Sequence, residues 1–126
     1  MMDVDRPAIE EGTVADIWVL TQPTEGGKRR GFVRADVITS VSGDGNRVRA
    51  LRSDTQGVVS LAVGVTLGGR RKSLPSGFHV HFLQTLDEVQ RDNSTRARAI
   101  MARWDMDQEE WQWVVEDVED LAPRDF

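Results

Sequence analysis

DMDQEEWQWVVEDVEDLAPRDF, residues 105–126, is the stretch on which the fold turns. It sets nine acidic residues against one arginine and holds Trp111 and Trp113. From Asp107 to Leu121 the apolar residues Trp111, Val114, Val115, Val118 and Leu121 recur at helical spacing, and Pro123 supplies a stop. The segment therefore reads as an amphipathic helix. Two residues along a helix is a turn of about 200°, so burying Trp111 aims Trp113 outward among Glu109, Glu116, Asp117 and Asp120. An exposed tryptophan ringed by carboxylates is an aromatic anchor for a basic surface; the alternative is that Trp113 lies over the preceding helix near Trp104.

Working back from that stretch, Thr85-Leu86-Asp87-Glu88 matches a capping box, in which the hydroxyl and the carboxylate each satisfy an unpaired amide at a helix start. Asp92-Asn93-Ser94 offers a second cap. After it, Ala97, Ile100, Met101 and Trp104 fall on one helical side.

Before Thr85 the period is two. Gly12–Leu20 is rich in β-formers and is followed by the turn-forming residues 22–27. Gly31–Val41 puts Val33, Ala35, Val37, Thr39 and Val41 on one face. Asp44-Gly45 is a favoured hairpin pair, which sets Val41 opposite Val48 and Thr39 opposite Ala50 and leads into a strand over Asn46–Asp54. Gly57–Leu67 alternates through Val59, Leu61, Val63, Val65 and Leu67. Phe78–Gln84 returns as a strand with Phe78, Val80 and Phe82 inward. Strands followed by helices, without alternation, indicate an α+β domain. The expected fold is an antiparallel sheet or small, partly open barrel, SH3-like or OB-like, of about five strands followed by two or three C-terminal helices. One domain spans 1–126, with a β-rich part at 12–84, a helical part at 85–122 and flexible ends at 1–11 and 123–126.

At 126 residues, with 39% apolar and 29% charged residues, the chain is long enough to bury a core. It has no cysteine, which removes disulfides, thiolate catalysis and cysteine-ligated metals. No basic leader with an apolar run opens the chain, and no membrane-length apolar stretch occurs, so a cytoplasmic protein without membrane contact is expected. The net charge of −5 is unevenly spread. Residues 12–85 hold ten bases and five acids, whereas residues 86–126 hold five bases and twelve acids.

The basic middle supplies an alternative binding surface. Phe32, Arg34, Arg47 and Arg49 are expected on one strand face opposite the core, flanked by the loops Lys28-Arg29-Arg30 and Arg70-Arg71-Lys72. Cations beside an exposed aromatic suit single-stranded nucleic acid, since phosphates take the charge and bases stack on the ring. Against this, a pI near 5 is low for a dedicated nucleic-acid binder.

His79 and His81, two apart on a strand, would share a face and could supply two metal ligands. The cupin pattern continues to a nearby glutamate and a third histidine. Here the next glutamate is Glu88, and the chain has two histidines in all. No metal and no cofactor is expected. Neither a Gly-x-Ser-x-Gly elbow nor a phosphate loop is present. The sequence thus reads as a non-enzymatic binding or regulatory module. It would contact a basic protein, or another copy of itself, through the acidic C-terminal helix at Trp113, Glu109, Glu116, Asp117 and Asp120. Nucleic acid on the basic face is the alternative, and a metal-dependent enzyme using the two histidines is the weaker one.

Overall fold

The computed structural model describes residues 16–23, 30–92 and 95–126. In chain order these form β1 (Ile17–Thr21), β2 (Gly31–Arg34), a 3-10 turn (Ala35–Val37), β3 (Ile38–Gly43), β4 (Arg47–Arg52), β5 (Val58–Val63), β6 (Val65–Leu67) and β7 (Arg70–Lys72). Helix α1 (Phe78–Arg91), β8 (Arg98–Asp105) and β9 (Glu110–Asp117) follow, with 3-10 turns at Val118–Asp120 and Pro123–Asp125. The expected elements at 1–15, Lys28, Arg29, Asn93 and Ser94 lie outside the described residues.

Two open sheets carry the core. The first has the order β9-β8-β1-β2, with β1 and β8 parallel and the other neighbours antiparallel. The second is the antiparallel β3-β4-β5, and β6 and β7 form a separate hairpin. The chain crosses between the sheets through the 3-10 turn. Beyond β1 they are tied again, where the Gln22 amide donates to the Ser60 carbonyl at 2.7 Å. Val19, Val33 and Ile100 from the first sheet meet Val48 and Leu61 from the second, with Phe78 and Phe82 of α1 in the same cluster.

Helix α1 lies where a strand and a later helix start were expected. Phe78, Phe82, Leu86 and Val89 recur at helical spacing, and α1 buries Phe78, Phe82 and Val89. Val80, which a strand would turn inward with the two phenylalanines, is 44% exposed. Gly77, at φ 73°, occupies the cap position without a side-chain cap. Thr85 and Glu88 are interior to the helix and make no capping box.

The C-terminal helices are likewise corrected to a hairpin. β8 and β9 pair along their whole length, from Asp105 opposite Glu110 to Arg98 opposite Asp117. Tertiary pairing overrides the helical spacing here. β8 is flanked by β1 and β9, and its Ala99-Ile100-Met101 run is buried on both faces. A strand buried on both sides reads as a continuous apolar run rather than an alternation. In β9, Trp111, Trp113 and Val115 alternate at period two and turn toward the core. The tryptophans, expected on opposite sides, share one face.

Two β-region expectations need smaller corrections. Gly31–Val41 is broken by the 3-10 turn, and Gly57–Leu67 is broken at Gly64. A Cβ on Gly64 would stand 3.1 Å from the Lys72 carbonyl oxygen, so the β6–β7 hairpin closes against a bare α-carbon. The β3–β4 turn is centred on Gly45-Asn46, one residue later than expected. Val41 therefore faces Ala50, and Ser42 faces Arg49. A shift of two in register preserves which face each side chain takes, so the separation of Val41, Val48 and Ala50 from the serines and Arg49 survives.

Candidate functional site

The expected acidic contact set does not come together as an open surface. Trp113 lies beneath α1, where its ring stacks on Phe78 with centroids 4.6 Å apart and meets Phe82 at 5.0 Å. Its indole Nε1 donates to the Phe78 carbonyl at 2.9 Å. Trp111 donates from Nε1 to the Lys72 carbonyl at 3.2 Å and meets Trp104 edge-on at 5.8 Å. These two indoles fasten β9 to α1 and to β7.

Much of the acidity is met from within the chain. Arg103 reaches Glu116 across the hairpin at 3.2 Å. Arg98 Nη2 lies 2.7 Å from Asp92, while its Nε sits 2.9 Å from Asp117 without the N–H aimed at the carboxylate, a charge contact rather than a hydrogen bond. Arg96 pairs with Asp117 and Glu119, and that hydrogen bond to Asp117, then the nearby charges, raise its pKa above the ordinary guanidinium value. Asp120 is exposed on the following 3-10 turn.

The hairpin tip is different. Asp105 Oδ1 accepts from the amides of Asp107 and Gln108 and shapes the turn. Glu109 closes it at φ 52°, a left-handed conformation that favours glycine. Met106 projects from the turn with 73% of its surface exposed, the largest fraction among the described large apolar residues. Asp107 and Glu109 make no ion pair among the described residues, and Glu110 accepts a hydrogen bond from Gln112 at 3.0 Å. The sequence signal for this tip was an unshielded methionine between two aspartates, obscured by the helical reading.

The basic set is divided between elements. Phe32 and Arg34 share the outer face of β2, with Phe32 against Phe126 at 5.4 Å and Arg34 paired to Asp16 and Asp36 at 3.0 and 3.1 Å. Arg47 and Arg49 belong to β4 in the other sheet, where Arg49 stands 4.0 Å from Asp44. Arg70, Arg71 and Lys72 form β7. His79 and His81 are helical, so a two-residue spacing no longer gives them a common face. Among the described residues no group of three or more His, Cys, Asp or Glu side chains could hold a metal ion.

One concavity was not foreseen. β1 pairs with β8 only over Arg98–Ile100, and beyond that point the strands part as Gln22 turns to Ser60. The resulting groove has a volume of about 430 Å³, with a floor of Leu20, Ala62 and Met101. Trp104, Trp111 and Phe126 line it as well, together with the polar groups of Gln22, Arg30, Arg103 and Asp125. On a helix Met101 and Trp104 share one side; on β8 their three-residue spacing puts them on opposite faces, and both line the groove with Leu20 and Phe126.

No protein-family model matches this chain, and neither a curated protein nor a solved structure matches it. No helix among the described residues is long and apolar enough to cross a membrane.

Proposed function

We propose that this chain is a non-catalytic interaction module that presents the acidic tip of the β8–β9 hairpin to a basic protein partner. The observation that carries the reading is Met106, 73% exposed and set in the same turn as Asp107 and Glu109, neither ion-paired among the described residues. A methionine adapts its shape to a contact surface, and carboxylates around it steer a cationic partner and reject an anionic one. The left-handed backbone at Glu109 adds support, since strained positions concentrate where structure serves binding. Glu116 and Asp117 contribute less, because Arg103 and Arg98 already stand against them. The nucleic-acid alternative is supported mainly by Lys72, whose ammonium stands 5.0 Å from the Trp104 ring centroid beside Arg70 and Arg71.

Placing a photo-crosslinking phenylalanine analogue at position 106, with position 51 in the second sheet as control, tests the tip reading. A discrete protein adduct formed from position 106 but not 51, and lost when Asp107 and Glu109 are both changed to lysine, is the expected result. Equal adducts from both positions, or an adduct indifferent to the charge reversal, would reject the tip as the contact surface.

A further inference from the structure

We propose that the groove between β1, β5 and β8 binds a small ligand made of a flat aromatic body and one anionic group. This site stands apart from the hairpin tip and does not rest on that reading.

The groove follows from strand geometry. β8 continues past its last β1 partner, Ile100, while the end of β1 is drawn toward β5 by the Gln22–Ser60 bridge. The volume of about 430 Å³ falls within the range of small-molecule sites, which are mainly apolar with a few placed polar groups. Leu20, Ala62 and Met101 are buried, so the floor is built into the core rather than formed by loose surface chains.

Three of the described lining residues carry aromatic rings, which favour a flat, polarisable ligand through offset or edge contacts. The Trp104–Trp111 pair is fixed by the Trp111 hydrogen bond to the Lys72 carbonyl, so that part of the wall is preformed. The charge of the ligand follows from the rim. Among the described lining residues, Arg30 and Arg103 carry guanidinium groups and Asp125 a side-chain carboxylate. Arg103 is engaged by Glu116. Arg30 donates to the Asp125 backbone carbonyl at 3.4 Å, and among the described residues it has no carboxylate ion pair. Lys72 is not among the described lining residues, but its ammonium stands 5.0 Å from the Trp104 ring centroid, which adds positive charge near that wall. A carboxylate, sulfonate or phosphate on an aromatic ring would satisfy Arg30 while the ring takes the apolar floor.

The test is a titration of the full chain with 1-naphthoate, followed through the indole N–H signals of its four tryptophans by NMR. Trp104 and Trp111 should shift while Trp18 and Trp113 hold still. The uncharged 1-naphthalenemethanol should bind at least about ten-fold more weakly, the scale of one lost charge-assisted hydrogen bond. Arg30→Glu should weaken naphthoate by a similar factor, and Val65→Phe, which fills the groove from β6, should abolish the shifts while the remaining spectrum stays folded. Absence of shifts at millimolar naphthoate, or shifts at Trp18 or Trp113 instead, would overturn the site. Equal affinity for the neutral analogue would overturn the anionic assignment. Binding of a short thymidine oligonucleotide without any response to naphthoate would overturn the small-ligand assignment in favour of nucleic acid.

Discussion

Trp113→Ala should remove a large share of the stability of this chain. Complete burial of a tryptophan makes its truncation cost roughly 3–5 kcal/mol. Trp113 is partly buried, which moves the packing loss toward the lower end, but it also forms two ring contacts and a 2.9 Å hydrogen bond to the Phe78 carbonyl. Together these give an expected loss of about 3–4 kcal/mol. With a urea slope of ~1.5 kcal/mol/M, the unfolding midpoint falls by ~2 M. Trp113→Phe keeps a ring against Phe78 and loses only the indole donor. The Phe78 carbonyl still accepts its helical bond from the Phe82 amide, so no buried acceptor is orphaned and the cost is ~1 kcal/mol. The assay is urea unfolding of the three proteins by far-ultraviolet circular dichroism, with slopes compared to confirm the same transition. A tryptophan projecting from a helix surface would give changes within about 0.5 kcal/mol for both variants. That outcome would refute the burial of Trp113 and the pairing that causes it.

Other parts of the molecule make separate commitments. A Cβ on Gly43 would approach His79 Nδ1 to 2.8 Å, so Gly43→Ala should cost ~1–3 kcal/mol by pushing α1 from β3. Most of that loss should vanish in the His79→Ala background, measured as a double-mutant cycle. Glu109→Gly should raise stability by ~0.5–1 kcal/mol in thermal or urea unfolding, because glycine adopts φ 52° without a Cβ penalty. Asp44 titrates below its ordinary value because its carboxylate accepts from the amides of Asn46 and Arg47. A depressed folded pKa stabilises the fold above the unfolded value, and the benefit is lost as pH falls through the folded value. The midpoint difference between wild type and Asp44→Ala should therefore be full at neutral pH and shrink on acidification below ~pH 4. A difference that grows as the pH falls would contradict this sign.

The β-rich middle was legible because alternation over Val48, Ala50 and Leu61 coincides with burial, and a register error of two leaves the faces intact. The two errors at the other end mirror each other. Phe78, Val80 and Phe82 satisfy a strand, yet Phe78 and Phe82 alone also satisfy one helical turn. Trp111, Val114 and Val115 satisfy a helix, yet Trp111, Trp113 and Val115 also satisfy a strand. Short apolar sets fit both periods. What decides between them is a partner far along the chain: β8 can pair on both edges, and two phenylalanines on α1 cover the tryptophan rings. The groove depends on the same long-range arrangement, since it arises where strands distant in sequence stop pairing. The acidic bias, by contrast, was visible directly. How much of it Arg96, Arg98 and Arg103 answer was not, because those partners become neighbours only when β8 lies against β9.

The burial of Trp113 and the exposure of Met106 both depend on strand pairing over residues 98–117. A nuclear Overhauser map of the labelled protein tests that pairing most directly. Cross-strand contacts of Trp113 with Ala102 and of Val115 with Ile100, alongside contacts from the Trp113 ring to Phe78 and Phe82, are the predicted result. Contacts between residues three apart from Trp111 to Leu121, with no cross-strand set, would restore a helix and contradict the hairpin on which the proposed contact surface is built.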